Sequence, residues 1–155
     1  MTNLFINDWK SYNEGNWIAT DWMTPEQVLD FLEKHKGEDR EWFVADCESD
    51  EGFDIPECCN IYDVCWSLVE IEKMDEFDQR CIAAIVEYGE TLEDAINKLG
   101  SYIFYDSIEE YHDSCIECLE LPEDSILSRY FDYGSFLRDC DFDITEASNG
   151  ICFLH

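Results

Sequence analysis

Apolar positions along the chain follow two periods, and the switches between them predict its elements. Residues 4–9 and 17–22 are short aromatic and β-branched runs separated by Tyr12, Asn13, Glu14, Gly15 and Asn16, which supply turn chemistry and predict a hairpin. Thr24, Pro25, Glu26 and Gln27 then give an N-cap, a first-turn proline and an acidic first turn. Val28, Leu29, Phe31, Leu32 and His35 make the apolar face of that helix, and Gly37 ends it. Residues 42–47 alternate as a third strand leading into an acidic loop, Glu48 to Gly52. Residues 1–59 therefore read as a small sheet with one helix.

After Pro56 the helical period takes over. Asn60 caps a helix with Ile61, Val64, Cys65, Leu68 and Ile71 inward; Asp75 caps a second with Cys81, Ile82, Ile85 and Val86 inward and Gly89 after it. Thr91 with Asp94 resembles a capping box for a third, carrying Leu92, Ala95, Ile96 and Leu99 and closed by Gly100. Residues 60–101 read as a helical cluster. In residues 102–155, a strand over 102–105 precedes a capping box of Ser107 and Glu110. The helix it starts has Ile108, Tyr111, Cys115 and Leu119 on its buried side. A short turn follows around Ile126 and Leu127, then a helix over 133–140 capped by Asp132, and a hairpin signalled by Asn149 and Gly150. The fold class is α+β, expected to be elongated and built of three small domains.

Charge changes this ordinary picture. Nine basic residues face 38 acidic ones, a net charge of -29. A small domain needs only about 2–8 for solubility. Because 46% of residues are hydrophobic and 15% aromatic, the acids ride on a folded body rather than a disordered tail. Duplex DNA carries one charge per roughly 1.7 Å, so as many charges correspond to roughly 50 Å of duplex. A compact globule of this length is only about 40 Å across. An elongated body would relieve the repulsion. The expected partner is basic, with nucleic acid and membrane excluded.

The acids concentrate in two stretches without Lys or Arg. Between Arg40 and Lys73 lie Glu41, Asp46, Glu48, Asp50, Glu51, Asp54, Glu57, Asp63, Glu70 and Glu72; between Lys98 and Arg129 lie Asp106, Glu109, Glu110, Asp113, Glu117, Glu120, Glu123 and Asp124. In the second stretch, spacings of three and four align the acids along one helix face. Like charges so placed destabilise a helix by a few tenths of a kcal/mol per pair. The pattern therefore points to function rather than to helix stability. Halophilic adaptation also raises acid content but does not account for nine cysteines.

Other chemistry is weakly specified. Asp46, Glu48, Asp50, Asp54 and Glu57 fall at ligand positions of a calcium loop, but Gly52 is one residue late for its hinge and the flank reads as strand. His112, Cys115 and Cys118 share a helix side, yet a zinc site needs a fourth ligand and the adjacent Cys58 and Cys59 chelate one ion poorly. No cofactor or metal is expected. No nucleophile elbow or phosphate loop occurs, and no carboxylate pair stands out for acid-base work, so the chain is not expected to be an enzyme. Residues 1–10 lack a basic start and a long apolar run, so no signal peptide is expected. The nine cysteines then read as reduced cytoplasmic thiols.

Tyr130, Phe131, Asp132, Tyr133, Phe136, Arg138 and Asp139 resemble the antirestriction motif of the ArdA family, small acidic proteins carried on mobile genetic elements. Tyr12, Asn13, Gly15 and Trp22 look like the family's opening, and residues 42–46 and 102–105 like two of its strands. The resemblance implies three small domains in a curved rod that dimerises, mimics bent DNA and occupies the DNA groove of type I restriction-modification enzymes. The carboxylates would stand in for phosphates, and Arg138 would fix the motif or dimer contact through a salt bridge. The competing reading is an acidic binding module for another basic protein, such as a nucleoid protein or an RNA-guided nuclease.

Overall fold

The structure, a computed structural model, describes residues 1–15, 21–53, 55, 59–122 and 125–154. The chain is α+β and divides into two compact units, residues 1–99 and 100–155.

In the first unit, β1 (Thr2–Asp8) pairs antiparallel with β2 (Trp42–Ser49), from Thr2 opposite Ser49 to Asp8 opposite Trp42, with a bulge between Phe5 and Ile6. Leu4 and Ile6 alternate into the core, while Asp46 and Glu48 alternate outward on β2. The predicted opening hairpin is corrected here. Asp8 ends β1 and accepts the backbone amides of Lys10 and Ser11, so Trp9, Tyr12 and Asn13 enter a short helix, α1 (Trp9–Asn13). A capping side chain overrides the strand propensity of Trp9. Residues 17–20 of the second arm lie outside the described residues, and Met23 makes a single bridge to Leu4.

Helix α2 (Pro25–Lys34) starts with a complete capping box: Thr24 Oγ1 accepts from Gln27 N, and Gln27 Oε1 accepts from Thr24 N. It buries Val28 and Leu32. Helices α3 (Ile61–Ile71), α4 (Glu76–Glu87) and α5 (Leu92–Lys98) follow, capped by Asn60, Asp75 and Thr91 as expected. At α5 the box is modified, because Asp94 accepts from the Thr91 hydroxyl at 2.9 Å as well as donating its own amide to it. Helix α3 packs on α2, α5 and β2, and α4 packs on α5. The core joins Leu4, Ile6 and Phe43 of the sheet with Leu68, Ile71, Ile82 and Ile85 of the helices, all at most 2% exposed. Each such side chain contributes about 1.5–3 kcal/mol by burial.

The second unit is thinner. β3 (Ile103–Tyr105), β4 (Thr145–Glu146) and β5 (Cys152–Leu154) form an antiparallel sheet with β5 in the centre. The turn expected at Asn149 and Gly150 closes β4 onto β5, with Gly150 at φ +84° and its amide donating to the Ala147 carbonyl. Helix α6 (Ile108–Cys118) packs on β3 and on α8 (Tyr133–Cys140); α7 (Ile126–Tyr130) lies between α6 and α8 in sequence. The capping box at α6 is half formed. Ser107 accepts from Glu110 N, but Glu110 Oε2 takes the amide of Asp106 instead of that of Ser107. Of the predicted buried side of α6, Tyr111 is buried, and Ile108, Cys115 and Leu119 are half-buried because the small sheet covers only part of the helix. Beyond α6, Glu120 adopts φ +48°, the left-handed conformation in which glycine normally ends a helix.

Candidate acidic interface

Helix α6 presents Glu109, Glu110, Asp113 and Glu117 to solvent. Spacings of four bring Glu109, Asp113 and Glu117 onto one face, each about 6 Å further along the axis. The four carboxylates occupy about 12 Å of axis. On the one shared face the charges recur about every 6 Å, more widely than the roughly 3.4 Å per phosphate of one DNA strand. No ion pair among the described residues involves Glu109, Asp113 or Glu117. Asp106 precedes the helix and Glu120 follows it, both exposed. Glu123 and Asp124 lie outside the described residues.

The acids of the earlier stretch belong to the first unit and are more varied. Asp46, Glu48, Asp50, Asp63 and Glu70 are exposed, and Asp54 and Glu57 lie outside the described residues. Glu51 and Glu72 are half-buried and engaged in the fold: Glu72 Oε1 accepts from Thr2 N at 3.4 Å. The N-terminal ammonium sits between Asp50 and Glu51 at 3.1 and 3.0 Å. Burial pushes the Glu51 carboxyl up, but the ammonium and the Ser49 hydroxyl outweigh it, leaving Glu51 below the usual carboxylate range. The same ion pair raises the terminal amine.

The motif residues form a local knot at the start of α8. Asp132 caps the helix by accepting from Ser135 N at 3.1 Å, and the Ser135 hydroxyl donates to its other oxygen at 2.7 Å. Arg138 Nη2 in turn donates to Ser135 Oγ at 2.8 Å. The Ser135 hydroxyl bond, then its amide and the Arg138 charge, hold the Asp132 carboxyl below its ordinary value. Phe131 meets Tyr133 and Phe136 edge-on at 4.9 and 5.5 Å. Arg138 thus reaches Asp132 through a serine hydroxyl. Ser135 was missed in the sequence, although its spacing of three from both charged residues was the available signal.

Near the motif in sequence, several large apolar side chains stand exposed. Tyr130 is 85% exposed, Phe142 86%, Ile126 73% and Leu127 69%. Helices α7 and α8 bury no residue fully.

In the first unit, the pairing of the exposed Arg40 with the buried Asp8 was not visible in the sequence. Asp8 is 1% exposed, with Arg40 Nη1 at 3.5 Å from its Oδ2. Burial raises its carboxyl, but bonds from the Ser11 hydroxyl and amide and the Arg40 charge win, so its pKa falls below the ordinary value. His112, considered above as a metal ligand, instead contacts Asp141 at 2.6 Å. Among the described residues, no group of three or more His, Cys, Asp or Glu is arranged to hold a metal ion, and no helix is long and apolar enough to cross a membrane.

No curated protein matches the chain. The family model for antirestriction protein (ArdA) matches residues 4–153, spanning both units, the acidic face of α6 and the knot at Asp132. With nearly its whole length covered, the chain belongs to the ArdA antirestriction protein family.

Proposed function

We propose that this antirestriction protein acts as a DNA mimic, a non-enzymatic inhibitor whose acidic surface occupies the DNA groove of a type I restriction-modification enzyme. The observation that carries the reading is the row of exposed carboxylates Glu109, Asp113 and Glu117 on one face of α6, about 6 Å apart along the axis and without ion pairs among the described residues. Membership in an antirestriction family supplies the class of target. In this reading, Asp46, Glu48, Asp50, Asp63 and Glu70 extend the anionic surface on the first unit, and the division into modules 1–59, 60–101 and 102–155 is retained. Carboxylates competing with phosphates for Lys and Arg bind more weakly as salt rises.

The proposed homodimer is supported by the exposed apolar side chains of α7, Ile126, Leu127 and Tyr130, which a second copy would cover. The test is restriction of incoming unmodified DNA with and without the protein, together with binding to the purified enzyme against competing duplex. Inhibition that duplex displaces at low salt, and that Glu109→Gln, Asp113→Asn and Glu117→Gln together weaken, supports mimicry. A complex that excess duplex leaves intact would rule it out. Co-purification with a nucleoid protein or an RNA-guided nuclease in place of restriction subunits would favour the alternative acidic binding module.

A further inference from the structure

Helix α3 turns large aromatic side chains to solvent. Ile61, Val64, Cys65, Leu68 and Ile71 are buried in the first unit, whereas Trp66 is 62% exposed and Tyr62 42%. On a helix surface, a residue's neighbours lie three and four positions away. Those of Trp66 are Tyr62 and Asp63 before it and Val69 and Glu70 after it. The indole therefore stands beside one exposed phenol and between two exposed carboxylates, each about one turn from it along the axis. Among the described residues, no side-chain hydrogen bond, ion pair or ring contact engages Tyr62, Asp63, Trp66 or Glu70. Lys73, exposed one turn beyond Glu70, forms no ion pair with it.

The same unit holds a filled version of such a group. Arg40 lies over the Trp42 ring, 5.6 Å from its centroid, while its Nε approaches Glu38 at 3.3 Å and its Nη1 approaches Asp8 at 3.5 Å. One indole and two carboxylates thus hold one guanidinium, which is planar enough to stack on a ring and weakly enough hydrated to exchange water for it. The α3 face has the indole and the two carboxylates and, among the described residues, no arginine paired with them. We propose that Trp66, Asp63 and Glu70, with Tyr62 beside them, form a docking site for an arginine side chain of a basic partner protein. The guanidinium stacks on an exposed ring and donates its N–H groups to the carboxylates.

Charge selects this occupant. A second copy meeting the face across a symmetry axis would set Asp63 and Glu70 against their own equivalents, and a chain of net charge -29 repels nucleic acid and anionic lipid. Lysine supplies a positive charge, but its compact, strongly hydrated ammonium neither stacks nor presents a fork of donors. Carboxylates alone would take any cation; the ring is what distinguishes arginine. As part of the inhibitory interface the site rests on the mimicry proposed above and names the group it takes there. As a receptor for guanidinium it stands without that role.

The test uses the full chain with its five tryptophan indoles isotope-labelled for NMR, the Trp66 signal being the one missing from Trp66→Phe. Capped tri-arginine and tri-lysine peptides, equal in charge, are titrated in at low salt. The Trp66 signal should move at a several-fold lower concentration of tri-arginine than of tri-lysine. Trp66→Leu, which keeps both carboxylates, should weaken tri-arginine binding about three-fold, and Asp63→Asn with Glu70→Gln, which keeps the ring, should weaken binding of both peptides. A Trp66 signal that stays still while others move, or that answers both peptides equally, would overturn the site. Weaker self-association of Trp66→Leu in sedimentation would overturn it too, giving the face to a second copy. In restriction assays Trp66→Leu should inhibit about three-fold less well than the parent. Full inhibition by a variant that has lost peptide binding would remove the face from the inhibitory interface. Failure of the parent itself to inhibit would count against mimicry and leave the peptide result standing.

Discussion

The first unit carries 25 acidic and 7 basic residues, the second 13 and 2, yet they place those charges on different foundations. In the first, exposed cations offset some of the acids: Arg40 meets the buried Asp8, Lys98 approaches Glu90 to 2.6 Å, and the terminal ammonium lies between Asp50 and Glu51. Beneath them is a continuous core of sheet and four-helix packing. In the second, the exposed Arg138 bonds the motif serine, and α6 leaves its acids to solvent. Fully buried apolar residues there are Tyr111, Ala147, Ile151, Cys152 and Phe153. The lesson is that the unit with the barest charge has the least apolar material opposing its repulsion, so its integrity depends on a few contacts.

The largest effect should come from removing one of those contacts. Phe153 is 1% exposed and packs against Tyr102 and Phe104 at 5.6 and 5.8 Å. Phe153→Ala should cost about 3–5 kcal/mol and unfold residues 100–155 while residues 1–99 keep their hydrogen-exchange protection. If both units lost protection together, the contrast between them would fail.

Asp8→Ala tests the other side of the contrast. It removes the cap of α1 and one partner of Arg40, which keeps Glu38 at 3.3 Å, and should destabilise the first unit by about 2 kcal/mol in urea melts, leaving the second unchanged. The pH profile sharpens the point. Self-repulsion eases as exposed carboxylates begin to protonate below about pH 5. Asp8 and Glu51, however, have folded pKa values below their unfolded ones. Their contributions are complete above the unfolded values of about 4 and are lost as pH falls through the folded ones. The first unit should therefore lose stability below about pH 4, and in Asp8→Ala that loss should shrink.

A smaller thermal effect should accompany a larger change in association. Ile126→Ser with Tyr130→Ser alters side chains that are 73% and 85% exposed, so urea stability at low concentration should move by less than about 0.5 kcal/mol. Sedimentation should show weaker self-association if the patch is the dimer contact; unchanged association would place that contact elsewhere.

Most helices were legible because caps and apolar period agree locally, as at Thr24, Asn60, Asp75, Ser107 and Asp132. The opening was misread where one buried side chain, Asp8, redirected a run that propensity alone assigns to strand. The acidic face of α6 was visible from spacing, whereas the Asp132, Ser135 and Arg138 chain needed coordinates, since a hydroxyl's partners are set by rotamers rather than by sequence distance. The exposure of Ile126 and Phe142 was hidden for a different reason: which apolar residues go uncovered depends on how much of the unit folds over them.

If the acids of α6 bind a basic groove as proposed, the left-handed backbone at Glu120 sets the demands of folding and of recognition against each other at a single position. A glycine there would remove a conformational penalty of about 1 kcal/mol while erasing one negative charge at the end of the α6 row. Glu120→Gly should thus yield a sturdier protein that grips a basic groove less well, dissociating two properties that most substitutions in this region would degrade together.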